Sequence, residues 1–178
     1  FEGVNHLALN SNKKMELNHP CVGLLQDANW WGKTKEMLIL KKVLKKMPNI
    51  TFYWAGDGPY TQKIIEELAE FKNFQWLGRL QYPEEVSKFL SSIDIYALIS
   101  GMDLAPLTLK EAQLMEKPVI ATNVGGIYEM MEDKVTGFLI KENDPEDLIE
   151  KLTILLNDDS LCNKMGSNGK QFVIKKFN

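Results

Sequence analysis

Cysteine and histidine are scarce in this 178-residue chain, with only Cys21, Cys162, His6 and His19. The cysteines are far apart, with no CxxC pair and no histidine cluster. That argues against a zinc site and for a reducing, cytosolic compartment. A histidine-dependent triad would have to be built from His6 and His19 alone, so both are set aside. No apolar run approaches the roughly 18 residues of a membrane span, and the chain as it stands opens without a signal peptide pattern. Contact with a membrane surface through a further segment stays open. Basic excess is lacking too: 21 Lys and Arg against 24 Asp and Glu give a net charge of −3. A nucleic-acid surface needs the opposite sign, so no nucleic-acid partner is expected. The cluster Lys41, Lys42, Lys45 and Lys46 falls on the polar side of a helix and reads as a solvated face. Two phosphate-loop signatures also fail. Gly56-Asp57-Gly58-Pro59 lacks the third glycine of GxGxxG, and Gly32-Lys33-Thr34 lacks the glycine five residues earlier that a GxxxxGK[ST] loop requires.

What is present is an ordinary globular composition, 44% hydrophobic and 25% charged, long enough to bury a core without disulfides or a structural metal. Residues 1–19 are polar and irregular and read as a linker, and residues 20–178 read as one domain. From Cys21 onward, strand-length apolar runs alternate with helical patterns. Strands are expected at Cys21–Leu25, Ile50–Ala55, Phe74–Leu77, Ile93–Ile99, Val119–Thr122 and Phe138–Ile140. Helices are expected at 35–46, 60–71, 83–90, 107–115 and 145–156, the last after Asp144 as N-cap, with a tail helix over 161–177 bent near Gly166 and Gly169. This succession predicts an α/β fold, a Rossmann-like doubly wound parallel sheet of about six strands with helices on both faces.

Open parallel sheets bind ligands outside the carboxyl ends of their strands. Glycine or a small polar residue marks each expected end: Gly23, Gly56, Gly78, Gly101 and Gly125. Each glycine alone can be explained by turn geometry. The sharpest constellation runs from Asp103 to Glu111. It puts one carboxylate in the loop after a buried strand and another in the first turn of the next helix, whose free amides and dipole suit a diphosphate. Carboxylates there fit sugar hydroxyls rather than phosphate. A competing reading takes Thr108-Leu109-Lys110-Glu111 as a capping box.

The ordered motifs resemble glycosyltransferase family 4. They are Ala55-Gly-Asp-Gly-Pro59, Leu77-Gly78-Arg79, Leu98 through Asp103 to Glu111-Ala112, Lys117-Pro118 through Glu129, and Thr136-Gly-Phe-Leu139. The likeness covers about residues 22–177. The resemblance implies the C-terminal, donor-binding domain of a retaining GT-B enzyme, with Gly3-Val4-Asn5 in the interdomain linker and an acceptor-binding half outside this chain. It implies transfer of a hexose from a nucleotide-diphosphate sugar, with no metal and no cofactor beyond that substrate. Asp103 is implied to position the sugar, Glu111 to hold the ribose, Leu107 and Thr108 to present amides to the diphosphate, and Gly56, Gly78 and Arg79 to lie along the donor, Arg79 near the base. Lys33 or Lys35 is implied as the diphosphate lysine, with Lys33 favoured. Three departures stand out: Asp103 where the family has glutamate, Leu24 where it often has arginine, and Glu116 where glycine usually ends the helix, which suggests a different cap.

Rival readings are a non-catalytic nucleotide-sugar-binding module, a GT-B epimerase acting on the nucleotide-sugar itself, and a purely structural Rossmann-like interaction domain.

Overall fold

The computed structural model describes residues 14–177. Six parallel strands, β1 (Cys21–Leu25), β2 (Thr51–Ala55), β3 (Phe74–Gly78), β4 (Ile95–Leu98), β5 (Val119–Thr122) and β6 (Gly137–Ile140), form one sheet in the order β3-β2-β1-β4-β5-β6. Every residue of β1, β4 and β5 is buried, which is why these strands read as continuous apolar runs rather than alternating ones. At the edge, β3 leaves Gln75 and Trp76 exposed.

Helices cover both faces. After β1, a helical turn at Trp31–Thr34 and a 3-10 stretch at Lys35–Ile39 lead into α1 (Leu40–Lys46). Then come α2 (Thr61–Leu68), α3 (Glu84–Ser92), α4 (Leu107–Leu114), α5 (Pro145–Leu156) and α6 (Asp159–Phe177). Side chains alternate across β1. Val22 and Leu24 join a core built with α1, α2 and α5, while Cys21 and Leu25 join a second core built with α3 and α4. The expected doubly wound architecture is therefore what the chain adopts.

Four local expectations change. Gly23 lies inside β1 rather than after it, and a Cβ there would come within 2.6 Å of the Ile93 side chain and 2.8 Å of Phe89. Its bareness lets α3 pack onto the sheet. Leu24 is fully buried in the core and does not line the cleft. Helix α6 runs unbroken through Gly166 and Gly169. Its glycines serve close packing on the α4 end, since a Cβ on Gly166 would sit 2.1 Å from the Glu116 carbonyl.

Glu116 does not change the cap of α4. It takes the left-handed conformation that glycine favours (φ 58°). Its amide donates to the Gln113 carbonyl (3.0 Å) and the Lys117 amide to the Ala112 carbonyl (3.1 Å), the paired bonds of a Schellman ending. At α5 the Asp144 cap forms as read, its carboxylate accepting from the Asp147 amide at 2.9 Å.

Of the expected linker, residues 14–19 lie against the domain. The Met15 amide donates to Ser92 Oγ (2.6 Å) and the Asn18 amide to the Tyr53 hydroxyl (2.8 Å). Gly3, Val4, Asn5 and His6 lie outside the described residues. Among the described residues, no helix is long and apolar enough to cross a membrane.

Candidate functional site

The sheet order reverses between β1 and β4, and a doubly wound sheet opens a crevice at that point. Gln26, directly after β1, is buried and ties the two strand ends together. Its Nε2 donates to the Ile99 carbonyl (2.7 Å) and its Oε1 accepts from the Ile99 amide (3.0 Å). Above this clamp lies a cleft of about 240 Å³ whose walls carry Lys33, Gly56, Arg79, Asp103, Leu107 and Thr108, together with Gln26 and Asp27. Six of the residues singled out in the sequence thus share one cavity.

One wall is the start of α4. Pro106, in extended conformation, precedes the helix, and no side chain caps it. The capping box does not form. The Tyr96 hydroxyl donates to Thr108 Oγ1 at 2.8 Å, which turns the threonine toward the sheet, and Glu111 engages Tyr82 instead. The first amides of α4 therefore face the cleft with the helix dipole behind them, a ready anion-binding arrangement.

The opposite wall brings Lys33 and Asp103 into contact, Nζ to Oδ2, at 3.1 Å. Backbone packing sets this pair. The Gly101 amide donates to the Lys33 carbonyl (3.0 Å), and a Cβ on Gly101 would lie 2.2 Å from the Gly32 carbonyl. Behind Asp103, the Gly126 amide donates to its carbonyl (2.9 Å). Gly125, at φ 55°, leaves no room for a Cβ, which would fall 2.0 Å from that same oxygen. These glycines hold loops together, so the turn-geometry reading applies to them. Gly56 also lies where a side chain would strike backbone, 1.9 Å from the Gln26 carbonyl.

Only one of the two acids lines the cleft. Glu111 does not line the cleft; it is 2% exposed within α4. Burial is the main reason its carboxyl is pushed up to about 7, and a hydrogen bond from the Tyr82 hydroxyl pulls partly the other way. Tyr82, on the loop after β3, is 48% exposed. Lys35 is exposed on the 3-10 stretch and Gly78 ends β3, and neither lines the cleft.

Sequence reasoning missed Gln26, Tyr82 and Tyr96. A polar residue ending an otherwise apolar strand was a usable signal for Gln26. Nothing in the sequence pointed from Tyr82 to Glu111.

Comparison with known proteins gives a consistent pattern. A family model described as "Glycosyl transferases group 1" matches residues 32–172. An uncharacterized glycosyltransferase of Methanocaldococcus jannaschii, MJ1178, is 34% identical over 131 residues, 72% of this chain and 37% of the relative. Trehalose synthase of Thermococcus litoralis is 31% identical over 158 residues, 83% of this chain and 38% of that protein. The chain thus spans under two-fifths of each. Among solved structures, Anabaena Alr3699/HepE in complex with UDP and glucose superposes with a TM-score of 0.80 at 19% identity, covering 99% of this chain and 48% of that one. The C-terminal domain of a Francisella tularensis glycosyl transferase group 1 family protein, LpcC, gives a TM-score of 0.76 at 21% identity over 100% of this chain and 94% of that one.

Proposed function

The chain belongs to the group 1 glycosyl transferases, and we propose that it is the donor-binding half of a retaining hexosyltransferase using a nucleotide-diphosphate sugar. The observation that carries this reading is the cleft itself, where an uncapped helix start faces a lysine at the sheet's switch point. Its relatives are about twice as long or longer, which supports an acceptor-binding half elsewhere in the complete protein. We place the reaction in the cytoplasm, with or without contact at a membrane surface.

In this reading the diphosphate lies across the Leu107 and Thr108 amides and takes Lys33 from Asp103. Breaking the glycosyl–phosphate bond leaves negative charge on the departing nucleotide. Fixed amides and an ammonium group stabilise that charge without having to reorganise. Asp103, freed from Lys33, accepts from hydroxyls of the sugar. Arg79 lies on the side of the base. Glu111 receives the ribose hydroxyls once Tyr82 swings aside, and in its ionised form it can accept two hydrogen bonds at once.

A thermal-shift series with UDP-, GDP- and ADP-sugars tests the reading. Because the Anabaena neighbour carries UDP and glucose, UDP-glucose is the first donor to try. A ligand at 100 times its Kd stabilises by about 2.7 kcal/mol. A melting temperature that rises with one nucleotide-sugar, and does not in Lys33→Ala, supports the proposal. No shift with any donor at millimolar concentration, in either this domain or the full enzyme, contradicts it.

A further inference from the structure

The opposite end of the sheet gathers side chains that play no part in the donor cleft. His19 precedes β1, Cys21 opens it, and Asp94 precedes β4, so the β1–β4 pairing joins residues 75 positions apart. His19 Nδ1 lies 2.8 Å from Asp94 Oδ2 and 3.7 Å from Cys21 Sγ. One ligand atom from each residue lies within 4.8 Å of the other two. Backbone fixes the arrangement: the Cys21 amide donates to Asp94 Oδ2 (2.8 Å), and the Asp94 amide donates to the Cys21 carbonyl (3.3 Å). His19 and Asp94 stand on the wall of a cavity of about 590 Å³, with side chains 50% and 42% exposed. Cys21 is buried behind them.

The geometry points to a divalent cation site, with zinc as the ion it suits, held by His19, Cys21 and Asp94 and with a fourth position open to the cavity. Zinc takes sulfur at about 2.3 Å and imidazole nitrogen at about 2.0 Å, so a tetrahedral pair of these atoms stands about 3.5 Å apart. The Cys21–His19 separation of 3.7 Å is already close to that. The corresponding nitrogen–oxygen edge is about 3.3 Å, so Asp94 must withdraw by about half an ångström, which its exposure permits. Mixed thiolate, imidazole and carboxylate donors suit a borderline-soft ion and exclude calcium and magnesium, which take oxygen ligands. Lys117, on the same cavity wall, commits its ammonium to the Ser91 carbonyl at 3.1 Å. An ion here would fasten the segment entering the domain to the start of β4. The site is independent of the donor cleft.

Cobalt substitution tests this directly. Cys21 and Cys162 are the only cysteines, so in a Cys162→Ser background a thiolate-to-cobalt charge-transfer band can come only from Cys21. Titration with cobalt(II) should give that band with tetrahedral visible absorption, saturating at one equivalent and abolished by one equivalent of zinc. Even outer partners of metal ligands cost about tenfold in affinity when removed, so His19→Gln and Asp94→Asn should each weaken binding by at least that much. Both change exposed side chains, so these variants fold even if Cys21→Ser does not. Absence of the thiolate band, or full affinity in both His19→Gln and Asp94→Asn, overturns the site.

Discussion

Lys33 and Asp103 form an ion pair of 3.1 Å across the cleft at the carboxyl edge of the sheet. The lysine best placed to grip a diphosphate is thus already neutralised by the acid best placed to address a sugar. In the proposed reaction the donor trades one anionic partner for another, and the exchange frees Asp103 at the moment a sugar arrives.

Replacing Asp103 with Asn should therefore separate two effects. UDP alone should bind more tightly, because a partly exposed pair of this kind is worth about 1 kcal/mol, or roughly fivefold. Turnover of the full enzyme should fall, since the sugar loses its carboxylate. Calorimetry with UDP and an initial-rate assay read the two separately. Lys33→Met should weaken UDP binding by about tenfold or more, as expected for losing a hydrogen bond to a charged group.

Glu111 makes donor binding depend on pH. Its carboxyl sits up at about 7 against an ordinary value of 4.5, chiefly through burial. The ionised form is the stronger acceptor for ribose hydroxyls, able to take two at once, so donor affinity should rise as pH climbs from 6 to 8 and should be flat in Glu111→Gln. Stability should move in the opposite direction. Between about 4.5 and 7 the folded state holds a proton the unfolded chain has released, so stability falls as pH rises through that window, by on the order of 3 kcal/mol. Glu111→Gln should match the parent near pH 5 and melt higher at pH 8.

Tyr82→Phe removes the hydrogen bond that holds the Glu111 carboxyl down. The midpoint of the donor-affinity profile should move to higher pH, while affinity above pH 9 should rise, because the donor no longer has to displace the Tyr82 hydroxyl. A binding titration repeated across pH checks both.

Glu116 occupies a left-handed position at φ 58°. That conformation costs a residue with a side chain about 1–2 kcal/mol, partly offset in the glycine variant by its extra unfolded-state freedom. Glu116→Gly should raise stability by up to about 1 kcal/mol in urea unfolding, with an unchanged slope.

Gly125→Ala should do the reverse. Its Cβ would fall 2.0 Å from the Asp103 carbonyl on a backbone at φ 55°. The loop must shift, so the variant should lose stability by about 1–3 kcal/mol and lose UDP affinity with it.

The strands were legible because apolar runs of strand length alternate with helical periodicity, and a parallel sheet buries both of its faces. Asp103, Lys33 and the start of α4 were legible because they lie in loops after strands, where such folds bind ligands. The strand bounds around Gly23 were read correctly, but its role as a ligand-side glycine was not, because the close packing of Phe89 and Ile93 over it comes from a distant helix. Glu111 was placed at the rim because its sequence position says nothing about Tyr82, which reaches it from another strand's loop. Thr108 fits a capping-box pattern, yet the Tyr96 hydroxyl claims its oxygen. His19 was set aside because its partners, Cys21 and Asp94, meet only through strand order.

The central claim is that the amides opening α4, together with Lys33, receive the diphosphate. A ¹H–¹⁵N correlation titration of this chain with UDP measures it residue by residue. The largest shifts should fall on the Leu107 and Thr108 amides, with smaller ones at Gly56 and Arg79, and Lys33→Met should remove them. Shifts centred elsewhere on the domain, with those amides unmoved at saturation, would contradict it.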